Sequence, residues 1–196
     1  MKQFIPTFIG ICLACFLLTF EMVNPSSGKI NTYPNLPVPI AMEDILITSA
    51  GQAVESAVLK SIADNLNLES DYRPRALATD LYEYKSVVMI VGYSKNGLSQ
   101  TLRNVKEEFH RAKELVQEAE KNSIPVILVD ISGVLREDET TWGLLESIIP
   151  HTTYYIGLKN SKHSRDLRML LKEHHVPTTL VNEIKEIEVP FNSAYR

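Results

Sequence analysis

Beyond Cys15 the chain contains no cysteine. The bulk of the protein therefore has no disulfide, no thiolate metal site and no cysteine nucleophile. A basic stripe is missing too. The net charge is -4, and acidic and basic residues are interspersed along the chain. Phosphate neutralisation needs clustered Lys and Arg, so nucleic acid is excluded as a partner. No Gly-x-Gly-x-x-Gly run, phosphate-binding loop or nucleophile elbow occurs, and there is no internal repeat or low-complexity tract. Adjacent His174 and His175 cannot face one another on a helix, so they make a poor chelate, and no metal site is expected.

What is present begins with an apolar run from Phe4 to Phe20, after a weakly positive Met1-Lys2-Gln3 and before the small residues Ser26-Ser27-Gly28. This is the outline of an export signal over 1–28. Two alternatives share the segment. It could stay uncleaved as a membrane tether through residues 4–20, although a spanning helix needs about 20 apolar residues. Cys15, preceded by Leu13-Ala14, could instead carry a lipid. Either way the expected location is extracytoplasmic, secreted or tethered to the outer face of the cytoplasmic membrane. The absence of disulfides is no obstacle to export, because a domain of this size can rely on its core. Residues 29–42 read as a linker punctuated by Pro34, Pro37 and Pro39, extended and loosely held.

An α/β domain is expected over 43–190, with an irregular tail over 191–196. Ile45–Ile47 reads as the first strand, and Val54, Ala57, Val58, Ile62 and Leu66 as the buried stripe of the helix after it. A weak strand at Asp71–Arg73 and a short helix within Thr79–Tyr84 follow. Val87–Val91 and Val126–Val129 are apolar at consecutive positions, as central parallel strands are. Between them a long helix carries Val105, Phe109, Ala112, Val116 and Ala119, and Asn104 with Glu107 three later predicts its start. Leu98 and Leu102 extend the period, so an earlier start is the alternative. Trp142, Leu145 and Ile149 mark a helix that Pro150 stops. The Tyr-rich strand Thr153–Leu158 is placed near an edge. Leu167, Leu170 and Leu171 lie on a helix, Thr178–Val181 is a last strand, and Asn182 is a cap for a final helix. This alternation predicts a flavodoxin-like doubly wound parallel sheet of five or six strands in three layers.

In such sheets ligands bind beyond the carboxyl ends of the strands. That rule selects Ser49, Gly51 and Gln52 after the first strand, and Tyr93, Ser94, Lys95, Asn96 and Gly97 after the third. It also selects Asp130, Ser132, Gly133 and Arg136 after the fourth, and Lys159, Asn160 and Ser161 after the fifth. Lys95 and Arg136 could offer counter-charge to a small anionic ligand, beside backbone N–H groups at helix starts. Strand-to-helix turns also use Gly, Ser and Asn for geometry and capping alone. A flavin loop would need several hydroxyls around a Gly. Ser49-Ala50-Gly51-Gln52-Ala53 has one, so no cofactor is expected.

The motif Ile47-Thr48-Ser49-Ala50-Gly51-Gln52, together with Gly92-x-Ser94-x-x-Gly97-Leu98 and the signal segment, resembles a family of bacterial exported proteins defined as a domain of unknown function. The resemblance spans most of residues 43–188. It implies export and the fold, and it supplies no activity. Three functions follow as expectations. The first is a binding module for a small polar or anionic ligand. The second is a hydrolase or transferase using Asp130, Ser94 or Ser49, with His151 or His163 as partner and no assigned catalytic residue. The third is an envelope protein-interaction or scaffold domain with an exposed patch around Tyr154, Tyr155 or Phe191.

Overall fold

Each strand of the sheet interior is apolar on both faces, and this dictates the architecture. The computed structural model describes residues 36–136, 138–160 and 164–196. The expected signal segment, the first part of the linker, Ser161 and His163 lie outside them. Strands β1 (Ile45–Ala50), β2 (Ser70–Tyr72), β3 (Ser86–Val91), β4 (Val126–Asp130), β5 (Tyr154–Leu158) and β6 (Thr178–Val181) form one parallel sheet in the order β2-β1-β3-β4-β5-β6. Every position of β1 and β3 is buried. Residues so placed must meet a helix on either side.

Alternate side chains do so. Leu46, Met89, Val91, Leu128 and Tyr155 point to one face, covered by α3 (Val105–Lys121), α4 (Glu139–Ile148) and α5 (Ser164–Glu173). Ile45, Ile47, Ile90, Val129 and Ile156 point to the other, covered by α1 (Ser56–Asn65) and by the C-terminal α6 (Glu188–Ser193). The result is a three-layer, doubly wound fold. Its first five strands have the flavodoxin-like order, with β6 added at the edge. The chain leaves β1 toward β2 and leaves β3 in the opposite direction, so the strand order reverses between β1 and β3.

Several expectations need correction. The buried stripe of α1 is Ser56, Leu59, Ile62 and Ala63, while Val54 and Val58 are exposed. The helix begins only at Ser56, and Leu59 with Ala63 sets the phase at i, i+4. In α3, Ala112, Val116 and Ala119 are buried as expected, but Val105 is exposed, and Leu115, Glu108 and Arg111 complete the inner face. Asn104 and Glu107 make the reciprocal capping box at 3.0 and 2.7 Å. Leu98 therefore belongs to a separate short helix, α2 (Lys95–Ser99), and Leu102 is fully exposed. Strand β5 is the last but one of the sheet, near an edge as expected, yet Tyr154 and Tyr155 are completely buried because β6 covers its far side. Asn182 does not cap through its side chain. Its backbone N–H donates to Glu186 Oε2 at 2.7 Å.

The C-terminal residues are helical and buried, where an irregular tail is expected. Phe191, Ala194 and Tyr195 pack on the β1 side of the sheet, with Phe191 and Tyr195 edge to face at 5.6 Å between ring centroids. They also hold the residues leading into β1. Ile40 N and Ala41 N both donate to Ala194 O, at 2.9 and 3.0 Å. Tyr154, Tyr155 and Phe191 thus cannot form the exposed interaction patch. Tyr155 is covered on one face of the sheet, and Tyr154 and Phe191 on the other.

Burial raises the phenols of Tyr154, Tyr155 and Tyr195 above the ordinary tyrosine range, and it pushes Tyr84, which also donates to Asp71, up to about 12. A group whose folded pKa is raised stabilises the fold fully below its unfolded value of about 10 and loses that contribution as pH climbs toward the folded value. Stability in urea should therefore hold up to about pH 10 and then fall steeply. The tyrosinate absorbance of Tyr84, Tyr154, Tyr155 and Tyr195 should appear in one step with unfolding, separate from that of exposed tyrosines such as Tyr82. Gradual titration of all the tyrosines with an unchanged urea midpoint would contradict this.

Candidate functional site

The turns after β1, β3 and β4 are interlocked. Gly51 has φ +81, and a Cβ there would sit 2.7 Å from the carbonyl oxygen of Gly92. A Cβ on Gly92 would meet Ser132 Oγ at 2.5 Å and Arg136 Cδ at 2.8 Å. A Cβ on Gly97 would meet the carbonyl oxygen of Gln52 at 2.7 Å. Glycine is required at positions 51 and 97 because backbone lies where a side chain would go, and at 92 because the Ser132 and Arg136 side chains lie there. Ser94 N donates to Gly51 O at 2.8 Å, and Ser94 Oγ caps α2 by accepting from Gly97 N at 3.1 Å. The residues that carry the family resemblance are thus the ones that fit the first two turns together.

Beneath them lies a buried ion pair from the inner face of α3. The Glu108 and Arg111 side chains are 2% and 3% exposed. Glu108 Oε1 accepts from Gly51 N at 3.1 Å, Gln52 Nε2 at 3.0 Å and Arg111 Nη2 at 2.6 Å, and Oε2 accepts from Arg111 Nε at 3.0 Å. Arg111 also donates to the carbonyl of Ser49 and, at 2.8 Å, to that of Ala76. Gln52 has φ 60, a left-handed conformation that a non-glycine residue adopts at some cost. Its hydrogen bond to Glu108 offsets that cost.

Arg136 is similarly engaged. Its Nε donates to both Glu55 oxygens at 2.9 and 3.1 Å, and its Nη1 to Tyr93 O at 2.9 Å. The expectation that Arg136 offers counter-charge is corrected here, because Glu55 at the start of α1 neutralises it. The start of α1 likewise does not present free N–H groups. The N–H groups of Ser56, Ala57 and Val58 donate to Ala53 O, Val54 O and Glu55 O. Ser49 Oγ donates to Pro74 O at 2.9 Å and caps nothing.

The expected site residues therefore divide. Ser49, Gly51, Gln52, Ser94 and Ser132 are buried, and Ser132 Oγ donates to Val91 O at 3.3 Å. Tyr93, Lys95, Asn96, Gly97, Asp130, Gly133 and Arg136 reach the surface to different degrees. Lys95 is exposed, and no described residue pairs with its ammonium. Asp130 Oδ2 accepts from the buried Tyr155 hydroxyl at 3.2 Å. Burial, and then the Asp130 carboxylate, hold that phenol far above its ordinary value. Lys159 donates to Asn182 Oδ1 at 2.9 Å, toward β6 and away from the other turns. His151 pairs with Glu120 at 2.6 Å, beside the turns leading into β4 and β5. That is the opposite edge of the sheet from Ser49, Ser94 and Asp130, so His151 cannot act as their base. No group of three or more metal-ligating side chains occurs among the described residues.

Glu55, Glu108 and Arg111 escape a reading by turns alone. A signal for the last two exists. They sit at i, i+3 in register with Ala112, Leu115 and Ala119, so two charges interrupt an otherwise apolar stripe.

A family model described as a domain of unknown function (DUF6305) matches residues 42–195, and the chain belongs to that family. No curated protein matches the chain. The match contains all three interlocked turns and the pair beneath them.

Breaking a buried pair from one side leaves an uncompensated charge and costs about 3–5 kcal/mol. Arg111→Met should lose that much in urea denaturation. Glu108→Leu combined with Arg111→Met should recover at least about 1 kcal/mol of the loss, because no charge is then left buried. A double variant no more stable than Arg111→Met would show that the charges do not matter to each other.

Proposed function

We propose that this is a binding module for a small polar ligand bearing a carboxylate or phosphate, taken up on the rim formed by the turns after β3 and β4. The observation that carries this reading is the division within the edge. Beneath the rim, Gln52, Glu55, Glu108, Arg111 and Arg136 all have partners, and the backbone is locked by contacts with no room for a Cβ. Above, Tyr93, Lys95 and Asn96 project from that rigid base, and Lys95 brings a positive charge that no described residue neutralises. A site on a pre-ordered backbone binds without the cost of ordering loops. Buried ion pairs add little net stability compared with apolar replacements, so their use here fits a demand for fixed loop positions.

A thermal-shift screen of small carboxylates and phosphates tests this. A ligand at 100 times its dissociation constant adds about 2.7 kcal/mol, well within the reach of the method. Lys95→Ala should remove the shift while leaving the ligand-free melting temperature unchanged, since the side chain is exposed. Silence across the screen would end this reading.

A second reading rests on Leu135, which is 91% exposed in the turn after β4, with Val54 exposed just ahead of α1 and Val58 exposed on it. These side chains favour a protein partner on the same edge. Photo-cross-linking from position 135 in envelope extracts should then trap one discrete product that Leu135→Asp abolishes, and a smear or no product would remove it.

We also propose that the domain works outside the cytoplasm, held to or released from the membrane by the segment at 4–20. The apolar run and the small residues at 26–28 support this. Fractionation of cells carrying the full chain, with mass measurement of the product, should find it in the envelope or medium. Recovery of intact chain from the cytosol alone would refute it.

A further inference from the structure

We propose that the space under the turn after β1, beside the crevice between β1 and β3, is a carboxylate-binding site that the chain occupies with its own Glu108, so that external ligands are shut out while that side chain is present. Sheets with this strand order accept ligands where the order reverses, and here that point lies between β1 and β3. Beside that point, under the turn after β1, a carboxylate sits in a complete cradle. One oxygen takes a backbone N–H from Gly51, an amide N–H from Gln52 and a guanidinium N–H from Arg111, and the other takes a second guanidinium N–H. The donors come from two elements remote in sequence. Gly51 and Gln52 both take up left-handed conformations as they present them. The guanidinium is buried, and its remaining contacts are carbonyls, so Glu108 is the anion that balances it.

The cradle also has a defined size. In Glu108→Ala the heavy atoms removed are one methylene carbon and the carboxylate, which together are the heavy atoms of acetate. The variant would leave a buried guanidinium without counter-charge, a strong drive to take up an anion. Acetate fits the space left. Longer carboxylates do not, because the space is sealed, with the Glu108 side chain 2% exposed, and chloride lacks the second acceptor atom that a carboxylate offers to Arg111 Nε and Nη2 separately.

The test is made in a Lys95→Ala background, so that an anion on the exposed rim contributes nothing and failure of one proposal is not failure of the other. The melting temperature of Glu108→Ala should rise saturably with sodium acetate and stay nearly flat in sodium chloride of equal ionic strength. The parent with Glu108 intact should respond to neither. Adding Gln52→Ala to Glu108→Ala should weaken the acetate effect, since one donor is gone. Should Glu108→Ala be unfolded in chloride, recovery of its circular dichroism by acetate becomes the readout. An acetate response no larger than that of the parent, or failure to fold in either salt, overturns the proposal.

Discussion

The Arg111 guanidinium touches three separate lengths of chain at once: the last turn of β1 through Ser49, the segment after β2 through Ala76, and its own helix through Glu108. Glu108 then adds the two residues that follow β1. Removing either partner would leave backbone carbonyls or N–H groups buried without a mate, each costing about 1–3 kcal/mol. The position of α3 on the sheet and the path of the first turn are therefore one decision. The turn after β3 packs on that path through Gly92 and Gly97, and the turn after β4 packs on Gly92 in turn. Arg136 and Glu55 close the chain of contacts from the far side.

This arrangement separates two tasks that loops usually combine. Backbone conformation is settled below, by glycine contacts and charges sealed from water. Side-chain chemistry is left to the residues above, chiefly Tyr93, Lys95 and Asn96. Changes among those three alter what the edge presents without disturbing how it is built. Ser49, Gln52 and Ser94 resemble site residues by type and by place, yet each is used inward: on Pro74 O, on Glu108 and as the cap of α2.

The fold was legible because it depends on repeated local signals. The consecutive apolar residues of Val87–Val91 and Val126–Val129 can only be buried on both faces, and Asn104 with Glu107 marks a helix start by a reciprocal bond that needs nothing else. What was not legible depends on long-range partners. The phase of α1 was misjudged because Val54 is apolar yet precedes the helix, and only packing tells it from Leu59. Phe191 and Tyr195 form no periodic pattern, so their burial follows from a surface that other residues build. Arg136 reads as an available cation in sequence, but Glu55, far away along the chain, lies beside it. The Glu108–Arg111 pair was visible in principle as charges within an apolar stripe, though its targets on β1 were not.

The way the chain enters the domain has a mechanical consequence. Residues 36–41 approach β1 from the edge opposite the interlocked turns and are clasped to the C-terminal helix by Leu36, Ile40 and Ala41. Arg196 reaches across to Glu43 at 2.9 Å beside them. The two edges are separated by the length of a six-residue strand, about 20 Å. A pull applied ahead of residue 36 would load this clasp before it reached the sheet, and the turns at the far edge would feel it last. Anything that anchors the chain by its beginning therefore holds the domain by its base and leaves the opposite rim facing outward.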